Sequence, residues 1–267
     1  MAFLEARLIP TGERDFAMEV KWVHNPTTKL PIASLSKSLT AYLVFEAVQN
    51  QKMSYDDYVD INPTHYCLPD NNFATKQLPE GLRRIKVGEA LTLLLRQSNN
   101  TAALILADAV AGDVHRFVTM MNAKAKDWDM NSTHFTSPHG LPPKDRSSEY
   151  TTVSDMAIMG KNMLVHEVAF RHFASVPLVV EGKIIAQSES PAKAALRKLT
   201  SFFKTATSAG CPSLLAIFDV GHEKFLSVQL CADTKKNRFD MAVEHYQDYV
   251  RKARDWIGVS PTSPEIR

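Results

Sequence analysis

Three short stretches carry residue types that could do chemistry together. Ser34-Leu35-Ser36-Lys37 sets a hydroxyl and an amine three residues apart, and residues at that spacing share one face of a helix. A serine hydroxyl is a poor nucleophile until a base takes its proton. An ammonium cannot do that, but a lysine in an apolar, positively charged site sheds its proton more easily and can serve as the base. A helix start adds a favourable field for a developing oxyanion. The spacing alone is weak evidence, because Ser190/Lys193 and Ser201/Lys204 repeat it. Ser34 stands apart because it follows Pro31-Ile32-Ala33 and opens a helix that reads as apolar nearly all round, with Leu35, Leu39, Tyr42, Leu43, Phe45, Ala47 and Val48. Ser98-Asn99-Asn100 is a polar break between two helical segments, and it could aim side chains into a cleft or simply cap a helix. Lys204-Thr205-Ala206 ends a strand candidate, where a lysine is also common as an exposed edge residue.

The elements that would position these residues follow from periodicity. Leu4, Ala6 and Leu8 alternate with Glu5 and Arg7, and after the turn at 11–15 so do Phe16, Met18, Val20 and Trp22 with Glu19 and Lys21, which predicts a hairpin. Helices are expected from Ser34 and over 86–97, 101–111 and 113–128, with another from a capping box at Thr152-Val153-Ser154-Asp155 to about Leu164. Strands are expected over Pro177–Ile185 and Ser201–Ala206. A second hairpin, 213–218 with 225–230, turns at Gly221-His222. A last helix carries Phe239, Val243, Tyr246, Val250, Ala253 and Trp256 on one stripe, with Gly258 past its end. The predicted class is α+β: an antiparallel sheet flanked by helices, with an all-helical lobe inserted and a site in the cleft between them. The expected division is one catalytic domain over 1–259, its sheet lobe about 1–38 and 166–259 and its helical lobe about 39–165, followed by a tail over 260–267.

In this order the three stretches match a motif set of S-x-x-K, S-x-N and K-T-x, each on the element type that set requires. The chain resembles the low-molecular-mass penicillin-binding proteins, the serine D-alanyl-D-alanine carboxypeptidases with a β-lactamase/transpeptidase-like fold. Residues 31–40 resemble the nucleophile segment and 93–102 the second motif with its flanks. Asn131-Ser132-Thr133-His134-Phe135, His139-Gly140-Leu141 and Ser154-Asp155-Met156-Ala157 resemble a stretch between the second and third motifs. The likeness runs from about residue 3 to 257. It implies Ser34 as acylated nucleophile, Lys37 as its base and Ser98 as the shuttle to the leaving amine. Asn100 would hold the substrate backbone, Lys204 would supply positive charge and Thr205 would bind the terminal carboxylate. The N–H groups of Ser34 and Thr207 would form the oxyanion hole. Ala206 departs from the family's glycine, which puts the level of activity in question. His134 and His139 read as structural and Asp155 as a cap.

The implied substrate is the stem peptide of peptidoglycan, with β-lactam antibiotics as covalent inhibitors and a place outside the cytoplasmic membrane. A class A β-lactamase ranks second, because no E-x-x-L-N segment lies between Asn100 and Lys204. A non-catalytic penicillin-binding relative, suggested by Ala206, ranks third. The 267 residues can bury a sizeable core, and a formal charge of +2 with dispersed Lys and Arg gives no reason to invoke nucleic acid. No metal or cofactor is called, since His, Asp and Glu show no ligand spacing. Cys67, Cys211 and Cys231 are far apart and odd in number, which argues against a full disulfide framework; a single bridge is open but not favoured. No apolar run approaches the ~18 residues that span a bilayer. The first residues, Met1 to Arg7, lack the basic-then-apolar pattern of a signal peptide. Because Lys37→Arg preserves charge, it is expected to keep the fold while losing acylation.

Overall fold

A computed structural model describes residues 1–13, 15–66, 78, 81–141, 149–180, 182–184, 190–208 and 210–257. The N-terminal alternation folds as β1 (Ala2–Pro10) and β2 (Phe16–His24), paired antiparallel with a register shift between Glu5 and Ala6. A short 3-10 turn, Ala33–Leu35, leads into α1 (Ser36–Gln49). A small pair, β3 (Tyr58–Asp60) with β4 (Arg84–Lys86), precedes α2 (Val87–Thr92), α3 (Asn100–Ala111), α4 (Val114–Asp127), α5 (Val153–Met163) and α6 (Glu167–Ser175). A second small pair, β5 (Val179–Val180) with β6 (Lys183–Ile184), is followed by α7 (Pro191–Leu199). The long strands β7 (Thr200–Ser208), β8 (Cys211–Val220) and β9 (Glu223–Leu230) then lead to α8 (Asn237–Ile257).

The main sheet has five strands in the order β2-β1-β9-β8-β7, antiparallel throughout, so the first hairpin joins the last three strands through β1 and β9. Alternation gives the sheet two apolar faces. Leu4, Ala6, Leu8, Phe202, Ala206, Leu215, Ile217, Leu226 and Val228 share one core with α1, α5 and α6. Leu214, Ala216, Phe218 and Phe225 form the other with Leu196 of α7 and Phe239, Ala242 and Tyr249 of α8. This is the predicted α+β class. α1 is buried along nearly its whole length, as its all-round apolar character requires, and only its Glu46, Val48 and Gln49 escape full burial. α5, inside the span expected for the helical lobe, packs instead on β1, β8 and β9. A Cβ on Gly160 would sit 2.8 Å from Leu226 Cδ1, so glycine allows that close approach.

Two helices escape the periodicity argument. α6 is short and buries only Phe170, Phe173 and Ala174, after a 3-10 turn at Leu164–His166 that breaks the phase from α5. α7 buries Leu196 alone. Its cap is Ser190, whose hydroxyl accepts from Lys193 N at 3.4 Å, so that S-x-x-K spacing is a helix start. At α5, Thr152 Oγ1 accepts from Asp155 N at 3.1 Å, but the Asp155 carboxylate turns away to Ser132 N at 2.8 Å and Thr133 Oγ1 at 2.7 Å. Asp155 therefore ties down a loop and does not close the box. Gly258, the tail over 260–267, Cys67 and the side chains of Ala253 and Trp256 lie outside the described residues.

Cys211 and Cys231 form a disulfide, correcting the expectation from cysteine count. The bridge links the start of β8 to the residue after β9, a closeness that the β8–β9 pairing creates and spacing does not reveal. A loop of this size is worth about 3 kcal/mol in the chain-entropy account. Cys211→Ser/Cys231→Ser should therefore melt well below the parent under oxidising conditions and match it under strong reductant; equal melting in both would mean the bridge adds nothing. Among the described residues no helix is long and apolar enough to cross a membrane.

Candidate active site

The nucleophile segment is positioned by burial on both sides. Ile32, Ala33, Leu35, Ser36 and Lys37 are buried, whereas Ser34 is only half-buried, so its hydroxyl is the accessible group of the segment. Ala33 adopts φ +50, a left-handed conformation that costs an alanine about 1 kcal/mol and turns the chain sharply into the helix. The Ser36 hydroxyl donates to Ala33 O at 3.0 Å and helps hold that turn.

Lys37 is wholly buried. Its Nζ lies 3.0 Å from Ser34 Oγ and donates to His139 O at 2.6 Å. Burial pulls its pKa down to about 7, and the nearby Glu149 opposes that shift. An amine that loses its proton around pH 7, anchored to one carbonyl and in its neutral form with a lone pair for Ser34 O–H, has the geometry of a general base.

Lys204, on β7, is buried too. Its Nζ donates to Ser98 Oγ at 2.8 Å and to Thr205 O at 3.0 Å. Its pKa falls well below the lysine value, through burial first and then the positive charges of Lys37, Lys193 and Arg238. Ser98 reaches this position by a left-handed turn, φ +57, at the end of a π-helical segment over 93–97. Asn99 takes the cap of α3, accepting from Ala102 N at 2.8 Å. The capping alternative thus belongs to Asn99, which leaves Ser98 for Lys204 and sets Asn100, buried, at the first position of α3.

Edge strand β7 packs on the 3-10 turn that holds Ser34. Ala206 is buried in the same core as Ala33 and Leu35, so its methyl is accommodated at this contact. Thr205 and Thr207 remain partly exposed. Arg238, near the start of α8, donates to Ala206 O at 2.6 Å and Ser213 O at 3.2 Å, fixing the end of β7. Burial lowers its pKa to about 10. Ser201, the other serine with S-x-x-K spacing, donates to Ile217 O at 3.3 Å within the sheet.

A turn over 136–140 completes the site. Pro138 O accepts from Thr40 Oγ1 at 2.7 Å and His139 O from Lys37, so two successive carbonyls face α1. The His139 ring accepts from Leu141 N at 3.0 Å through Nδ1, and burial with Lys37 nearby depresses its pKa to about 3. It is a neutral, structural imidazole; its carbonyl is what meets the lysine. His134 lies elsewhere, bridging to Tyr150.

Sequence reasoning missed the His139 carbonyl, Arg238 and Glu149. A cation in the first turn of α8 opposes the helix dipole, and that mismatch was the signal available for Arg238. Nothing in the local pattern marks Glu149 or a main-chain carbonyl.

Solved structures share this architecture. Penicillin-binding protein D2 from Listeria monocytogenes, in its cefotaxime-bound form, is 25% identical with a TM-score of 0.77, covering 92% of this chain and 95% of that one. PBP3 from Streptococcus pneumoniae, described as a peptidoglycan synthesis regulatory factor, is 25% identical with a TM-score of 0.78 over 94% of this chain and 72% of that one. The fold is therefore that of the penicillin-binding proteins. The sequence profile of the D-alanyl-D-alanine carboxypeptidase family matches residues 19–189, and the chain belongs to that family. The match includes Ser34, Lys37, Ser98 and Asn100 and ends before Lys204. D-alanyl-D-alanine carboxypeptidase DacC of Escherichia coli is 29% identical over 220 residues, 81% of this chain and 54% of that protein. DacD of Salmonella typhimurium is 28% identical over 79% of this chain and 54% of its own length. The chain thus spans about half the length of these curated relatives.

Proposed function

We propose that the chain is a serine D-alanyl-D-alanine carboxypeptidase that works through an acyl-enzyme on Ser34. The observation that carries this is the fully buried Lys37 amine, 3.0 Å from Ser34 Oγ, with its pKa drawn down to about 7. Lys37 takes the Ser34 proton as Oγ attacks the carbonyl of the penultimate D-alanine. The N–H groups of Ser34 and Thr207 receive the oxyanion. Ser98, held by Lys204, passes a proton to the departing amine, and the terminal D-alanine leaves. Lys37 hands the proton it took to Ser98, restoring that hydroxyl, then takes a proton from the attacking water and gives it to Ser34 Oγ as the ester is cleaved. Asn100 holds the peptide backbone of the substrate, and Thr205 with Lys204 receives its terminal carboxylate. The substrate is the stem peptide of peptidoglycan, β-lactams acylate the same serine, and residues of about 1–259 act as one catalytic unit. That substrate lies outside the cytoplasmic membrane, and the Cys211–Cys231 bridge suits an oxidising compartment.

Intact mass after incubation with a penicillin, followed by peptide mapping, tests this. One adduct is expected, on the fragment with Ser34 and Lys37, persisting for minutes or longer while a D-Ala-D-Ala peptide is hydrolysed. An adduct on another serine, or none on folded protein, would sink it. Rapid multi-turnover hydrolysis of a chromogenic cephalosporin with no action on the peptide would point to a β-lactamase.

A further inference from the structure

Glu149 is a charged side chain in a place that normally excludes one. Its residue is 7% exposed, and among the described residues Oε2 has no hydrogen-bond partner. An uncompensated buried carboxylate is costly, so its retention calls for a physical reason. Its other oxygen, Oε1, accepts from Thr136 N at 3.1 Å, Ser137 N at 3.2 Å and Ser137 Oγ at 3.4 Å. Ser137 Oγ in turn accepts from Gly140 N at 2.9 Å. The carboxylate thus holds the start of the 136–140 turn directly and its end through Ser137 Oγ, and that turn delivers the His139 carbonyl to Lys37.

We propose that Glu149 is a positioning residue for Lys37: it clamps the turn that orients the lysine, and its negative charge sets the pH at which Lys37 can accept the Ser34 proton. This rests on the acyl-enzyme reading above. The charge balance around the lysine supports it. Lys37 faces Glu149, which lies just before the Tyr150 bridge, His139 from the 136–140 turn and Lys204 from β7, which itself feels Lys193 and Arg238. His139 is neutral, so Glu149 is the negative group opposing burial and the Lys204 charge. Burial raises the Glu149 pKa to about 7 while the turn's N–H groups and Lys37 hold it down. Burial pushes each towards its neutral form and the opposite charge pushes each back, so the two titrate as a coupled pair. Neutral Lys37 with ionised or protonated Glu149 is competent, whereas the ammonium is not.

The test is the penicillin acylation rate against pH for the wild type, Glu149→Gln and Glu149→Ala, each checked for folding by circular dichroism. Gln keeps an acceptor for the turn and loses the charge. Its plateau rate should stay within about threefold, while its acidic limb moves to lower pH by about half a unit to one unit, because the ammonium loses its counter-charge. Ala loses both, and its plateau should fall about 10–100-fold as the turn releases Lys37. A merely structural role would lower the plateau without moving the limb. A limb in Glu149→Gln that coincides with the wild type overturns the proposal. If Glu149→Gln does not fold, the wild-type limb decides: a coupled pair gives one broader than a single-proton curve, and a clean single-proton limb overturns the proposal. Absence of acylation in folded wild type would overturn the acyl-enzyme reading and this role with it, whereas acylation with an unmoved limb removes only the role of Glu149.

Discussion

Lys37→Met should acylate with penicillin at least ~10²-fold more slowly than the wild type and yet melt at a higher temperature. The rate falls because the amine proposed as base, 3.0 Å from Ser34 Oγ, is gone, and general-base catalysis is commonly worth 10²–10⁴-fold. The gain in stability follows from the pKa. In the unfolded chain Lys37 titrates near its ordinary 10.5, and in the folded protein at about 7. Between those values the unfolded state binds a proton that the folded state does not, so this lysine opposes folding, by about 4 kcal/mol at pH 7. Methionine fills a similar volume without that charge. It leaves the His139 carbonyl without its donor, which costs about 1–3 kcal/mol, so a net gain of about 1–3 kcal/mol remains. By the same sign, wild-type stability rises with pH from about 7 towards 10, and its deficit against Lys37→Met should shrink over that range. Melting curves at pH 7 and 9.5 with acylation rates test both halves; a folded variant that acylates at the wild-type rate would remove Lys37 as base. The structure also changes what to expect of Lys37→Arg. A guanidinium cannot shed its proton, so in this fully buried site conservation of charge becomes a burden, and that variant should melt below the wild type.

Gly140→Ala should destabilise the protein by about 3 kcal/mol or more and reduce acylation with it. Gly140 sits at φ +77, and a Cβ there would lie 1.8 Å from Ala33 O. The left-handed conformation alone costs alanine about 1 kcal/mol. The clash adds more, because both parties are main chain: one in the turn that holds Lys37, the other in the residue before Ser34. Either the turn or the nucleophile segment must move, and a displacement near 1 Å at reacting groups is worth about 10²-fold in rate. Gly221→Ala is the control, with φ +61 and no atom within 4 Å of the added Cβ. It should cost only the conformational ~1 kcal/mol and leave acylation unchanged. Equal melting and equal rates for the two variants would mean that the 136–140 turn is not tightly seated on Ala33.

Elements with a long, regular pattern were legible: the first hairpin, the apolar helix after Ser34, the strands of 201–230 and the last helix, where Phe239, Val243 and Tyr246 of the expected stripe share a core with Ala242 and Tyr249, which it did not include. Their hydrophobic period follows the one face, or the whole perimeter, that each buries. α6 and α7 were not, because each buries three residues or fewer. The capping box at Thr152 was half right: the hydroxyl caps, but tertiary contact with the 132–133 loop draws the Asp155 carboxylate away. Of the three S-x-x-K spacings, the one at Ser34 leads into a buried helix, whereas Ser190 caps a surface helix and Ser201 is engaged within the sheet.

By itself the sequence determined the three motif stretches, their order and the type of element each occupies, because side-chain chemistry and periodicity are written locally. Only the tertiary structure decided what those residues meet. The Ser98 hydroxyl contacts Lys204 across 106 positions, and Lys37 reaches the His139 carbonyl across 102. Glu149 is buried beside that lysine, Arg238 holds the end of β7, and Cys211 pairs with Cys231 through the β8–β9 register. The low pKa of Lys37 belongs to the same category. It comes from removing water on every side, which no single segment does; α1, the 136–140 turn and the edge of the sheet must close together before an ordinary lysine gives up its proton near neutral pH.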